Sequence, residues 1–159
     1  ATPVRPAEVM AGKILPYVAL GYVQLAVIML AAWALFEVPM VGSFALLVPL
    51  IGVFMLANLG VGFTFSTLAR NQLQAMQMTF FFFLPSILLS GFMFPFRGMP
   101  AWAQTLGEVL PLTHFLRIVR GILLKGSGWA ELWPEVWPMA LFILVAGAVA
   151  LKRYRLTLD

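Results

Sequence analysis

The amino-acid sequence predicts an all-α fold: a polytopic transmembrane helical bundle with four crossings, and a pair of short amphipathic helices, re-entrant or interfacial, before the last crossing. Apolar residues make up 62% of the chain and charged residues only 10%, and the mean hydropathy is +0.98. This apolar share lies well above that of ordinary soluble domains. The charged residues also leave four long runs free, at residues 14–36, 38–69, 71–96 and 136–151. Each run is long enough for a bilayer core about 30 Å thick, so each is expected to hold one crossing.

The crossings are expected to be helices because the runs are apolar on all sides, whereas barrel strands alternate with period two. A helix also satisfies its own backbone hydrogen bonds in lipid. The sequence contains no cysteine, which excludes disulfides and thiolate chemistry within it. Its net charge of +4 is spread too thinly for a nucleic-acid surface, so we expect contact with membrane lipids and not with nucleic acid.

The first two crossings are predicted at residues 14–36 and 44–66, joined by a short turn that contains Pro39 and Gly42. The first of them reaches about 34 Å at about 1.5 Å per residue, enough to cross with some tilt. The segment before it, "ATPVRPAEVMAGK", has prolines and charges where a signal peptide has an apolar core. Because the chain opens in this abrupt way, we expect it to be a fragment of a longer protein.

The last two crossings are predicted at residues 78–96 and 134–151. The third follows a polar segment around Arg70 that is expected to lie outside the hydrocarbon. The fourth begins beside Trp129 and Trp133, which predict an interfacial aromatic belt, and it ends at the basic sequence "KRYR".

Residues 97–128, between these two crossings, are predicted to form two short amphipathic helices. The first places Trp102, Leu106 and Val109 on one face at helical spacing. The second carries its polar residues within an arc of about 140°, at 100° per residue, and we expect this face to be wet. Neither helix can cross a bilayer, so both should lie in the interface or dip into it. The polar residues of the second helix are His114, Arg117, Arg120 and Lys125.

The distribution of basic residues predicts that both ends of the chain are cytoplasmic. Six lysines and arginines then lie inside and four outside, the four being those of the 97–128 insert. The inside residues are Arg5, Lys13, Arg70, Lys152, Arg153 and Arg155.

No motif for ATP hydrolysis, metal binding or acid–base catalysis is present in the sequence. "AGK" and "LLKGS" lack the glycine spacing of a phosphate-binding loop. One histidine and six carboxylates give neither a metal site nor a catalytic pair, so His114 is interpreted as an interfacial residue. Polar residues within or beside the crossings are candidates for the substrate path or for helix packing. They are Gln24, Asn58, Ser86 and Ser90.

Three segments together resemble a known family: "TPVRPAEVMAGKILPY", "LPSILLSGFMFPFRGMPAWAQTL" and "LPLTHFLRIVRGILLKG". They are similar to the C-terminal half of the ABC transporter type-2 permeases, the membrane subunits of ATP-driven exporters. The resemblance implies six crossings in the full permease, of which residues 1–159 supply the third to the sixth. It also implies that residues 1–13 end a cytoplasmic coupling segment that docks on a separate ATPase. The coupling residues it implies are Thr2, Pro3, Arg5, Pro6, Glu8, Gly12 and Lys13.

The resemblance further implies that the two short helices partly re-enter the membrane and cover the exit of the translocation path. It implies a second permease subunit, as a homodimer or heterodimer, and ATP and Mg²⁺ on the partner ATPase with no cofactor on this chain. The implied location is the bacterial cytoplasmic membrane. Two other interpretations stay open: a lipid-acting membrane enzyme using His114 and Glu108, and an ATPase anchor that transports nothing. The exit-side residues are Pro95, Arg97, Pro100, Trp102, Pro111, His114, Arg117, Arg120 and Gly121.

Overall fold

The computed structural model describes the backbone of residues 6–158, and the side chains of residues 8, 9 and 11–152. Within this range the chain forms six α-helices. A 3₁₀ turn at Phe96–Gly98 precedes α4, and a π-helical segment at Gly121–Lys125 continues α5. The helices are α1 Pro6–Phe36, α2 Phe44–Leu68, α3 Gln72–Leu89, α4 Ala101–Val109, α5 Pro111–Arg120 and α6 Trp129–Leu158.

Four helices in the described part of the chain are long and apolar enough to cross a membrane, which confirms the predicted architecture. The short helices α4 and α5 precede the last of them, as expected. We call these two helices the short-helix pair. The candidate spans are Ala11–Phe36, Phe44–Leu68, Gln72–Leu89 and Trp129–Lys152.

The third long helix begins and ends earlier than its predicted range of 78–96. The polar segment before it forms the helix start: Asn71 Oδ1 accepts from the Gln74 amide at 2.8 Å, and the Gln74 side chain accepts from the Arg70 amide at 2.6 Å. These reciprocal bonds satisfy amides that a helix start leaves unpaired. The helix ends at Leu89 because Gly91 adopts a left-handed conformation with φ of +93°. Residues 90–95 therefore form turns.

The last long helix begins at Trp129, five residues before the predicted start of its crossing. Pro134 and Pro138 are accommodated inside it, although proline in a helix removes one backbone hydrogen bond. Glu131 in the first turn is favourably placed against the helix dipole. This extra turn and a half brings residues 129–133 alongside the short-helix pair.

The buried core lies at the end of the molecule that carries the short-helix pair. It joins the first turns of α2, the end of α5 with its π-helical continuation, and the first turns of α6. By contrast, none of the apolar window of α1 and only 6% of that of α3 is buried. The core residues are Leu47, Leu50, Ile51, Ile118, Ile122, Leu132, Val136 and Met139.

Candidate functional site

The short-helix pair lies on the same side of the bundle as the turn between α1 and α2. The Val41 amide donates to the Leu123 carbonyl at 3.2 Å, which ties this turn to the π-helical segment. The neighbouring Gly42 is needed for the approach, because a Cβ there would come within 2.5 Å of the Ile122 carbonyl oxygen. The ends of α1, α2, α3 and α6 on this side of the bundle, which we call the outer ends, thus meet around the pair.

The backbone of the short-helix pair is set by its prolines and glycines. Pro100 precedes α4, and Pro111 occupies the first turn of α5, where its missing N–H costs nothing. Gly107 lets α4 approach α3, since a Cβ there would lie 2.5 Å from the Leu89 carbonyl oxygen. Gly121 starts the π-helical segment, and a Cβ at this position would lie 3.0 Å from the Ser127 hydroxyl oxygen.

Four charged side chains from three helices meet on the inner side of the pair, and we call them the polar cluster: Glu108 of α4, His114 and Arg117 of α5, and Glu135 of α6. His114 is only 4% exposed. Its Nδ1 lies 2.5 Å from Glu135 Oε2, and its Nε2 lies 2.6 Å from the Glu108 carbonyl oxygen. Arg117 donates to Glu108 Oε1 at 2.7 Å and to Glu135 Oε2 at 3.2 Å.

With Glu135 ionised, the geometry of the polar cluster favours the imidazolium form of His114. Both of its nitrogens face oxygen atoms that only accept, so both must carry a proton. Burial by itself lowers the pKa of His114. The hydrogen bonds to Glu135 and to the Glu108 carbonyl, together with both carboxylate charges, outweigh burial and raise that pKa above its ordinary value of 6.5.

The prediction of a wet polar face on the second short helix is wrong for His114. This residue is buried against α6, because Glu135 supplies a counter-charge that the helix periodicity does not reveal. Arg117 is half-buried, and its guanidinium also lies 4.7 Å from the centre of the Phe96 ring. The more distant Arg120 is exposed, as expected, and reaches the Gly91 carbonyl at 3.4 Å.

Glu135 is the cluster residue that the sequence reasoning missed. It stands one position before an uncharged run, beside the tryptophans at the start of α6. A carboxylate at the edge of a crossing is costly unless it is paired, and this cost is the signal that could have identified it. Three other residues predicted for the exit side, Pro95, Arg97 and Trp102, are exposed, and Trp102 is exposed by 66%.

A cavity of about 260 Å³ lies between α2 and α3, directly below the pair. Leu112, at the start of α5, contributes to its lining, which places α5 at the outer end of the cavity. Asn58 and Ser86 both lie in this cavity. The other two candidate path residues lie elsewhere: Gln24 is exposed on α1, and Ser90 is buried at the outer end of α3. The aromatic lining consists of Phe54, Phe65, Phe82 and Phe83.

Asn58 is the most unusual polar residue of this region. It is exposed near the middle of α2, and among the described residues its amide has no hydrogen-bond partner. It also lines a second cavity of about 340 Å³ that reaches Lys13 and Tyr17 of α1. Ser86, by contrast, donates to its own helix at the Phe82 carbonyl, 2.8 Å away. Asn58 therefore lies where the two cavities meet.

The predicted coupling residues fall at the beginning of the chain. Thr2, Pro3 and Arg5 lie outside the described residues, and Pro6 is the first residue of α1. From there α1 continues without a break into the first predicted crossing, so that crossing and the end of the predicted coupling segment belong to one helix. The Lys13 ammonium lies 5.7 Å from the centre of the Phe63 ring of α2. Glu8 and Gly12 are both exposed on α1.

The family profile described as "ABC-2 type transporter" matches residues 1–124 of this chain. The "Probable multidrug ABC transporter permease YbhR" of Escherichia coli is 30% identical over 97% of this chain, which spans 42% of that protein. The "Probable multidrug ABC transporter permease YbhS" of the same organism is 33% identical over 93% of this chain, or 38% of that protein. The "Inner membrane transport permease YhhJ", also of Escherichia coli, is 29% identical over 98% of this chain and 42% of its own length.

No solved structure matches the chain significantly. The chain spans about two fifths of the length of the curated relatives it matches, as the 42% for YbhR shows. The family match covers more than half of the chain and includes the first helix, α2, α3, the short-helix pair and most of the π-helical segment. The resemblance stated above from the sequence is thereby confirmed: the chain belongs to the ABC-2 type transporter family.

Proposed function

We propose that the chain is part of the membrane subunit of an ABC exporter, in which it forms part of the substrate path. ATP and Mg²⁺ bind to a separate ATPase subunit, which supplies the energy. The family match and the names of the relatives support this assignment. The observation that carries it is the cavity between α2 and α3, whose outer end is lined by α5 of the short-helix pair.

The pair would act as a cover at the exit of the path. It is tied to the turn between α1 and α2 and, through the polar cluster, to α6. A substrate that leaves through the cavity would pass beneath Leu112, so the pair must shift for release. Rigid helices that pivot at loops are a common form of such gating.

The distribution of charge supports an orientation with the pair outside the cell. The side with the pair carries four basic residues, but it also carries Glu37 and three more glutamates. Arg117 is engaged with two of these carboxylates, so this outer charge is neutralised where it lies. Lys13, Arg70 and Lys152 lie toward the other side, which the positive-inside rule assigns to the cytoplasm of a bacterial inner membrane.

The exposed faces of α1 and α3 support a partner permease subunit, which would be a second copy or a related chain. The coupling segment of residues 1–13 would dock on the ATPase. Among the described lining residues of the cavity no charged side chain occurs, and four are phenylalanines. This lining favours an apolar or amphipathic cargo over an ion or a sugar chain.

The polar cluster speaks against a lipid-acting enzyme. A general base needs a free lone pair, and both nitrogens of His114 are engaged as donors. An enzyme that used Glu108 and His114 would lose its activity when both are replaced by alanine. A lipid-hydrolysis assay on the purified protein with this double substitution would show whether such an activity exists.

The test of the exporter assignment is transport by the full-length protein with its ATPase in proteoliposomes. We expect ATP-dependent movement of a lipophilic fluorescent dye. Glu8→Lys should reduce transport while ATP hydrolysis and membrane insertion persist, and Glu131→Lys on the opposite side serves as the matched control. Equal transport by both variants would contradict the coupling role. ATP hydrolysis with no transport of any cargo would favour the anchor interpretation.

A further inference from the structure

The polar cluster is the principal polar connection between the short-helix pair and α6. Only Leu110 separates α4 from α5, so the two helices of the pair are held together by the chain itself. The path from α5 to α6, in contrast, runs through the π-helical segment and three further residues. Glu108 of α4 and Glu135 of α6 both form ion pairs with the same two residues of α5, His114 and Arg117.

The cluster is electrically balanced only while His114 is charged. Its two carboxylates face one guanidinium and one imidazole. The other α-helices packed against α5 are α2 and α3, and neither contains a titratable residue along its described length. The π-helical segment that continues α5 carries Lys125, which is exposed. The nearest further carboxylate on α6 is that of Glu131, which is exposed. The charge state of His114 is therefore set by its burial and by its contacts with Glu135 and Glu108.

Loss of the His114 proton would break one of two hydrogen bonds, whichever nitrogen loses it. A neutral imidazole has one donor and one acceptor, and both of its partners here are acceptors. One nitrogen lone pair would then face an oxygen at 2.5 or 2.6 Å, which is strongly repulsive. The cluster would also be left with a net negative charge in a partly buried place.

We propose that Glu108, His114, Arg117 and Glu135 form a latch that holds the short-helix pair closed on α6, and that the latch opens when His114 loses its proton. His114 and Glu135 are then positioning residues: they touch no substrate and act through the placement of the pair. Only the role of the latch in gating an exit rests on the proposed function.

The sign of the pH dependence follows from the raised pKa of His114. A group whose pKa is higher in the closed state than in the open state stabilises the closed state fully below its ordinary value of 6.5. This stabilisation is lost as the pH rises through the raised pKa. The outer face of the molecule should thus be closed in acidic and neutral surroundings and should loosen in alkaline ones.

Ser90 provides a probe of latch opening. It is 4% exposed at the outer end of α3. The pair contacts the residues on either side of it: Gly107 of α4 lies against the Leu89 carbonyl, and Arg120 of α5 donates to the Gly91 carbonyl. Residues 1–159 contain no cysteine, so Ser90→Cys introduces the single thiol of this part of the protein.

The experiment uses the full-length protein in proteoliposomes, with cysteines outside residues 1–159 replaced by serine. A membrane-impermeant maleimide labels Ser90→Cys, and a second preparation with Gly98→Cys, at an exposed position, gives the reference rate at each pH. The ratio of the two rates cancels the change in thiol ionisation. We expect the ratio to rise between pH 6 and pH 9, because the closed state loses its extra proton binding as His114 is deprotonated.

Substitutions in the polar cluster test whether the latch controls the labelling ratio. Glu135→Gln should raise the ratio at pH 6 toward its alkaline value, and Glu131→Gln, one turn earlier on the same helix, should not. His114→Lys, which keeps a charge throughout, should remove the pH dependence. Glu108→Gln, whose side chain is 46% exposed, is the milder second variant if Glu135→Gln does not accumulate in the membrane. A flat ratio in the native protein, or equal ratios for Glu135→Gln and Glu131→Gln, would overturn the latch.

The labelling assay separates the latch from the exporter assignment. It requires neither ATP nor cargo, so the latch stands or falls on accessibility alone. The dye-transport assay tests export without reference to pH. A working latch in a protein that transports nothing would refute the exporter assignment only, and pH-independent labelling in an active exporter would refute the latch only.

Discussion

The outer end of the bundle and the pair of helices α1 and α3 are built in opposite ways from similar apolar residues. At the outer end, Ile118, Ile122 and Met139 have no exposed surface, and charged groups are paired. Along α1 and α3, large side chains such as Trp33 and Phe81 are 70% and 81% exposed. In lipid an exposed apolar face costs nothing, so burial there marks packing that the fold requires. The outer end is thus closely packed by residues of this chain, whereas α1 and α3 present surfaces to lipid or to other protein.

The largest expected effect comes from a cavity in the outer core. Ile118→Ala removes a fully buried side chain between α2 and α6 and should lower the free energy of unfolding by about 2–4 kcal/mol. Phe81→Ala removes a larger but exposed side chain and should change it little. Thermal unfolding of the purified full-length variants in detergent measures both. Equal losses would mean that α3 is as tightly packed as the outer core.

A smaller effect is expected where the turn between α1 and α2 meets the π-helical segment. Gly42→Ala places a Cβ 2.5 Å from the Ile122 carbonyl oxygen, so backbone must move, at a cost of about 1–3 kcal/mol. Gly12→Ala, at a position with no atom within 4 Å of the new Cβ, is the matched control. The same unfolding assay compares them. If Gly42→Ala is neutral, the turn is not held firmly against the pair.

Arg117 and Arg120 lie on the same face of α5, but only Arg117 belongs to the polar cluster. The cost of removing each side chain therefore compares the cluster with an ordinary surface charge. Arg117→Ala leaves Glu108 and Glu135 without their guanidinium and should cost about 1–3 kcal/mol. Arg120→Ala removes one long hydrogen bond to Gly91 and should cost less than about 1 kcal/mol. Unfolding at pH 7 in low salt provides the measurement. A larger loss for Arg120→Ala than for Arg117→Ala would mean that the contact of α5 with the end of α3 contributes more to stability than its contact with α6.

The smallest expected effect is the pH dependence of stability. Because the pKa of His114 is raised in the folded state, stability should be unchanged below about pH 6.5 and should fall above it, by at most about 1.4 kcal/mol per pH unit. His114→Gln should flatten this slope. Unfolding curves between pH 6 and pH 9 for native protein and variant show the difference. Parallel curves would mean that the slope comes from groups elsewhere.

The parts of the fold that could be predicted from sequence are those determined by the bilayer. Uncharged runs require crossings, and breakers such as Pro100 and Pro111 require short helices between them. The helix limits were less accessible, because the start of α3 depends on side-chain bonds at Asn71 and Gln74. The burial of His114 could not be predicted from helical periodicity, because periodicity identifies a polar face but not the element against which that face packs. The partner, Glu135, comes from a different helix.

The contact between Val41 and Leu123 also has a consequence for the order in which the protein is made. The two residues are separated by about 80 positions, so at about 5–20 residues per second the ribosome delivers the second roughly 4–16 s after the first. During that interval the hairpin of α1 and α2 is already in the membrane while its outer turn has no binding partner. A chaperone or insertase that shields this turn would act within that interval, and its task would end when the π-helical segment is synthesised.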